Sequence, residues 1–134
     1  MKAWMSIVLA ITGYVLSFSV GPISAQEQSA PADTMKIYTF EKDIAPIVGK
    51  YCMSCHGSDT MNKSDLYMDD YQTLMKGGKH GVPVVPGKPD KSLMYRKLLP
   101  DPPFGKQMPR GHKKITPEAV QIIHDWIAEG AKEK

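Results

Sequence analysis

The chain has 134 residues, 42% of them hydrophobic, with 17 basic against 14 acidic side chains and a formal net charge of +3. That length suits one small domain, and so slight a positive excess argues against a nucleic-acid role. Both cysteines fall in one short Cys-x-x-Cys-His motif, so no disulfide framework is left to staple the fold.

The N-terminus reads as an export signal over residues 1–25. Lys2 gives a minimal positive start, and residues 3–20 are an apolar run softened by Thr12, Gly13, Ser17 and Ser19. Gly21-Pro22 breaks that run, and Ile23-Ser24-Ala25 ends in a small residue before Gln26, a cleavage pattern. The run is also nearly long enough to span a bilayer, so retention as a membrane anchor is the alternative. Either route places the rest of the chain in the periplasm or beyond. Residues 26–38 are polar and small and read as a linker, which leaves 39–134 as the folded domain.

The first helix is expected to start with Asp43 as N-cap and Pro46 in the first turn. Ile44, Ile47, Val48 and Tyr51 repeat at the spacing of one buried face, and Phe40 can staple its start. It leads into Cys52-Met53-Ser54-Cys55-His56. Two thiols three positions apart with histidine next form the attachment signature for c-type haem. One helix-like turn places two sulfurs beneath two vinyl groups of one porphyrin, and the adjacent imidazole faces the iron from that side. Cys52 and Cys55 are therefore the expected thioether anchors of one covalent haem c, and His56 the proximal iron ligand. The other His56 nitrogen needs an acceptor to set its tautomer; a backbone carbonyl of the 83–86 loop is expected to serve. A thioredoxin-like pair would sit in a strand-and-helix context that is missing here. Half a zinc site would need two further ligands, and His80, His112 and His124 show no paired spacing.

Asp59, Asp65, Asp69 and Asp70 cluster after the motif, whereas Lys76, Lys79, Lys88, Lys91, Arg96, Lys97 and further basic residues dominate the later half of the chain. A short helix is expected over 70–76, ended by Gly77-Gly78. The 77–89 loop offers Val82, Val84 and Val85 to cover a haem edge. A third helix is expected over 90–99, with Leu93, Met94, Lys97 and Leu98 near helical spacing. Pro100, Pro102, Pro103 and Pro109 make the next stretch a stiff loop. The last helix opens with Thr116 as N-cap, Pro117 at its first position and Glu118 at the positive end of the dipole. Val120, Ile123 and Ile127 form its buried stripe with Trp126 beside it, and Gly130 stops it.

The occupant of the sixth iron position decides between electron transfer and small-molecule binding. Met53 lies within the attachment turn, Met75 and Met94 read as core filler, and Met61 and Met68 lack a rigid context. Met108 precedes Pro109, which biases it to extended backbone, and it lies in a proline-stiffened loop. Met108 is therefore the leading distal ligand, with His112 as rival and an open site third. His80 and His124 read as surface or satisfied polar residues. Lys106, Arg110, Lys113 and Lys114 flank Met108. They form either a solvated surface or a basic rim that steers an acidic redox partner.

Taken in order, these residues carry a resemblance. Phe40-x-x-Asp43-Ile44-x-Pro46-Ile47 and Cys52-x-x-Cys55-His56-Gly57 open it. Gly77-Gly78, Pro86-Gly87-Lys88-Pro89 and Ser92-Leu93 continue it. Met108-Pro109, Gly111-His112, Thr116-Pro117-Glu118, Asp125-Trp126-Ile127 and Gly130-Ala131 close it. Residues 40–131 thus resemble the planctomycete-type cytochrome c domains. The resemblance implies an all-α, class I-like cytochrome c fold wrapped around one haem. By position it makes Cys52 and Cys55 the haem anchors, His56 the proximal and Met108 the distal ligand. Relatives often carry Met-Pro-Pro where this chain has Met108-Pro109-Arg110. The function expected is periplasmic electron transfer between a donor and an acceptor protein, with no turnover of its own. Two alternatives stand beside it: a haem-based sensor with a displaceable sixth ligand, and a cytochrome subunit docked to a dehydrogenase.

Overall fold

The computed structural model describes residues 36–111 and 113–134. The leader expected at 1–25, the linker up to residue 35 and His112 lie outside the described residues. Among the described residues the regular structure is helical, with one isolated bridge between Gly78 and Gly81 and no strand. No helix among them is long and apolar enough to cross a membrane.

The domain enters its first helix four residues earlier than Asp43. Thr39 is the cap: its backbone is extended, and its hydroxyl accepts from the Lys42 N–H at 3.4 Å. Asp43 instead reaches back and accepts from the Thr39 N–H at 3.0 Å. That bond is the main reason its carboxyl is held below the ordinary range. Phe40–Ile44 form a π-turn, closed by the Ala45 N–H on the Phe40 carbonyl. The wide turn stacks Phe40 over Ile44, and both are buried. Helix α1 follows as Ala45–Tyr51, with Pro46 in its first turn and Val48 and Tyr51 buried. The chain hinges at Cys52 into α2, Met53–His56, where the Cys52 carbonyl accepts from both Cys55 and His56 N–H at 3.0 Å.

Gly57 leads α2 into a loop that returns on itself, where the Met68 N–H donates to the His56 carbonyl at 2.9 Å. Residue 78 clamps this loop from outside. A Cβ there would lie 2.5 Å from the Ser64 carbonyl oxygen and 2.7 Å from the Leu66 nitrogen, so only glycine allows the approach. The adjacent Lys79 N–H donates to the Ser64 carbonyl at 2.8 Å. Helix α3, Tyr71–Lys76, has a reciprocal cap between Asp70 and Thr73 and ends at Gly77, where φ is +79°.

The third helix is shorter than the 90–99 expected. A 3-10 turn at Pro89–Lys91 is separated from α4, Leu93–Arg96, by Ser92. The buried Ser92 hydroxyl accepts from the Val85 N–H at 2.8 Å and bonds the Lys88 carbonyl at 2.9 Å. Side-chain bonding to the backbone here replaces the continuous helical ladder.

Helix α5, Pro117–Ala128, begins as its sequence indicates, with Thr116 accepting from the Ala119 N–H at 3.3 Å. Trp126 lies in the centre of the core rather than beside the stripe, while Val120 is only partly buried. The indole N–H of Trp126 donates to the Lys132 carbonyl at 2.8 Å, and that carbonyl also accepts from the Phe40 N–H at 2.9 Å. The Tyr71 hydroxyl reaches the Ala131 carbonyl at 3.0 Å. The C-terminal tail thereby joins the first turn, α3 and α5 around the Phe40, Tyr71 and Trp126 rings.

Urea unfolding of the holoprotein tests this packing. Trp126→Ala should cost about 3–5 kcal/mol, and Thr116→Ala about 1 kcal/mol. Gly78→Ala should cost about 1–3 kcal/mol through forced backbone displacement. A Gly78→Ala change without effect would refute the clamp.

Candidate functional site

A cavity of about 420 Å³ opens between α2, the 61–68 loop, the 78–83 loop, α4 and the 104–110 loop. Its size is that of a small-molecule or cofactor site. Cys52, Cys55, His56 and Met108 all line it. They come from two segments more than fifty residues apart, which the fold brings to one space. Leu66, Met68, Met94, Leu98 and Ile123 supply apolar wall. Of the 77–89 loop, Gly78, His80, Gly81 and Pro83 line the cavity, not the valines. Val84 is in the core, and Val82 is half exposed.

The His56 ring is held by its Nδ1, 2.9 Å from the Leu66 carbonyl oxygen. A carbonyl only accepts, so Nδ1 carries the proton, and Nε2 keeps its lone pair on the cavity side. The acceptor is thus Leu66 rather than the 83–86 loop, where the Pro83 carbonyl instead takes the Met94 N–H at 2.9 Å. A neutral imidazole with one nitrogen anchored to a carbonyl is the form that binds a metal.

Neither cysteine is in a disulfide; Cys55 is exposed and Cys52 half-buried. Burial, and then the neighbouring Cys55, push the Cys52 thiol up to about 11. Among the described residues no group of three or more His, Cys, Asp or Glu could hold a metal ion. The zinc alternative therefore finds no partners there.

Met108 is positioned from α4. Its N–H donates to the Lys97 carbonyl at 2.7 Å, and the Gln107 side-chain amide donates to the Leu98 carbonyl at 2.5 Å. The Lys97 ammonium returns the contact, donating to the Lys106 carbonyl at 2.7 Å and to the Phe104 carbonyl. Met61, Met68 and Met94 also line the cavity. Met68 has a firmer setting than its sequence context suggests, being buried and tied to the His56 carbonyl. Met53 and Met75 pack against the core. His80 stands at the cavity mouth, its ring 4.4 Å from that of Phe104. His124 is paired with Asp125 at 2.8 Å.

The charge of the wall is one-sided. Lys63, Lys97 and Arg110 line it, and no carboxylate among the described residues does. Burial first, and Arg110 second, hold the Lys97 ammonium below its ordinary value. Of the four cations expected to flank Met108, only Arg110 belongs to the wall. Lys106 and Lys114 are exposed, and Lys113 donates to the Lys50 carbonyl at 3.0 Å. The set of two thiols, a tautomer-fixed imidazole, a thioether, apolar wall and cations fits a large apolar ring bearing carboxylates, as haem does.

Sequence spacing could not reveal Leu66, since a backbone carbonyl has no side-chain signature. Asn62, Lys63 and Lys97 carry no motif either; only the folded cavity groups them with the cysteines.

No curated protein and no solved structure matches the chain. Residues 52–110, from the first cysteine of the motif to the arginine after Met108-Pro109, match the family model described as Planctomycete cytochrome C. The match starts later and ends earlier than the resemblance read over 40–131, and it takes in Cys52, Cys55, His56 and Met108, so this segment of the chain is similar to planctomycete cytochrome c.

Proposed function

We propose that the protein is an electron carrier outside the cytoplasm, with one haem c, that passes single electrons from a donor to an acceptor protein. The observation that carries this reading is the shared cavity of Cys52, Cys55, His56 and Met108, within a segment of cytochrome c kinship. When bound, haem supplies a one-electron iron couple. Cys52 and Cys55 would hold it through thioether bonds, His56 would ligate its iron through Nε2, and Met108 would ligate it through its thioether sulfur. Lys97 and Arg110 offer positive charge to its carboxylates.

The residues have the properties a carrier needs. Thioether sulfur favours ferrous iron, and an apolar enclosure disfavours the extra charge of the ferric state, so both raise the reduction potential. His56 is held by a backbone carbonyl, and the loop bearing Met108 is tied by four hydrogen bonds to Lys97 and Leu98 at the end of α4. Ligands held this firmly can stay in place while the iron changes charge. Export rests on the leader pattern at residues 1–25 and on the kinship; retention of that segment would give an anchored carrier instead. Exposed Lys106 and Lys114, with Arg110 at the cavity, form the basic side offered to an acidic redox partner.

Met108→Ala tests the ligand set in the haem-loaded protein. The unmutated protein should show a far-red sulfur-to-iron absorption band and no carbon monoxide binding when reduced. The variant should lose the band and bind carbon monoxide. Rapid carbon monoxide binding by the unmutated protein would favour the sensor alternative. For the basic side, stopped-flow oxidation by hexacyanoferrate at low salt should slow several-fold in Lys106→Glu/Lys114→Glu. The difference should vanish at high ionic strength. Equal low-salt rates would remove those two lysines from the docking side.

A further inference from the structure

The Leu66 carbonyl that receives His56 is shared. The side-chain amide of Asn62 donates to the same oxygen, and its Nδ2 lies 3.4 Å from His56 Nδ1. The orientation of this amide is set by its other end. Asn62 Oδ1 accepts from the Ser64 N–H at 3.1 Å and from the Ser64 hydroxyl at 2.7 Å. Two donors on the oxygen end of the amide leave its nitrogen end facing Leu66 and His56. Two N–H groups so close cannot bond one another; they share the two lone pairs of one carbonyl.

We infer that Asn62 is a positioning residue that sets the strength of the His56 Nδ1–H bond, and through it the electron donation of His56 to the iron. The inference rests on the haem reading proposed for the cavity. A carbonyl that already gives density to the Asn62 amide has less to give to the imidazole. The Nδ1–H bond is then weaker, the imidazole less basic, and the ferric state less stabilised. Asn62 thereby keeps the reduction potential higher than Leu66 alone would allow. The geometry is well supported from behind. Lys79 donates from its backbone to the Ser64 carbonyl at 2.8 Å and from its ammonium to the Lys63 carbonyl at 3.0 Å. Its ammonium is also 3.2 Å from the Asp65 carboxylate.

The test compares haem-loaded wild type, Asn62→Leu and Asn62→Asp by midpoint potential and by proton NMR of the diamagnetic ferrous state. Asn62→Leu frees the carbonyl for His56 alone. Its potential should fall, and the His56 Nδ1–H resonance should move downfield and exchange more slowly. Asn62→Asp, nearly isosteric, replaces the competing donor with an acceptor beside Nδ1 and should lower the potential further. Ser64→Ala removes only the hydroxyl that orients the amide and should give a smaller fall. It also provides the reading if the larger changes prevent haem loading. Unchanged potentials and an unmoved Nδ1–H resonance would overturn the role of Asn62. A lower potential with faster Nδ1–H exchange would overturn it too, since a loosened loop admitting water then explains the shift. Wild type purified without covalent haem would instead defeat the haem reading itself, so the two failures are distinct.

Discussion

The hydrogen bond from His56 Nδ1 to the Leu66 carbonyl, 2.9 Å long, is the constraint around which the site is arranged. It removes the tautomeric choice of the imidazole and directs the remaining nitrogen to the cavity. A carbonyl can do this only if its own peptide is immobile. Leu66 lies in a loop closed by Met68 on the His56 carbonyl and pressed by Gly78 to a spacing that tolerates no side chain. Holding one imidazole thus recruits the whole loop from His56 to Met68 and the glycine turn packed against it.

The other side of the cavity is organised by a single lysine. Lys97 caps the end of α4, and its backbone carbonyl receives Met108. Its side chain crosses the face of Phe104 and bonds two carbonyls of the loop that carries the methionine. An aliphatic stem along apolar surface with a charged head on carbonyls is a common compromise for a half-buried lysine. Here it converts a proline-rich stretch without regular structure into a defined wall. Behind both sides stands the core of Ile44, Leu74, Ile123, Trp126 and Ile127. The tail carbonyls of Ala131 and Lys132 bind its aromatic polar groups.

Electrostatics unite these parts. The wall carries cations and, among the described residues, no carboxylates, an arrangement suited to an apolar cofactor with acidic edges. On the proposed ligation, an enclosed haem with a thioether ligand favours the reduced state. The hydrogen-bond environment of His56 then becomes a natural place for finer adjustment, because it alters ligand basicity without altering ligand identity.

The proposed attachment site was legible from five consecutive residues, because Cys52, Cys55 and His56 lie within one short stretch of chain and local spacing is all such a motif requires. The start of the last helix, set by local capping, was readable for the same reason: Thr116 with Pro117. The start of the first helix was not, since Thr39 and Asp43 exchange capping roles and local residue type fits either as the cap. The expected 90–99 helix is interrupted because buried Ser92 bonds Val85 and Lys88, partners set by the loop's return rather than by propensity. What the sequence alone determined was therefore the set of candidate haem-binding side chains, the helical class and the resemblance to planctomycete cytochrome c. Only the tertiary structure decided that Leu66 receives His56, that Asn62 shares that carbonyl and that Lys97 holds the loop of Met108. Backbone carbonyls are alike in every residue, so which of them becomes a partner is decided by where the chain folds back.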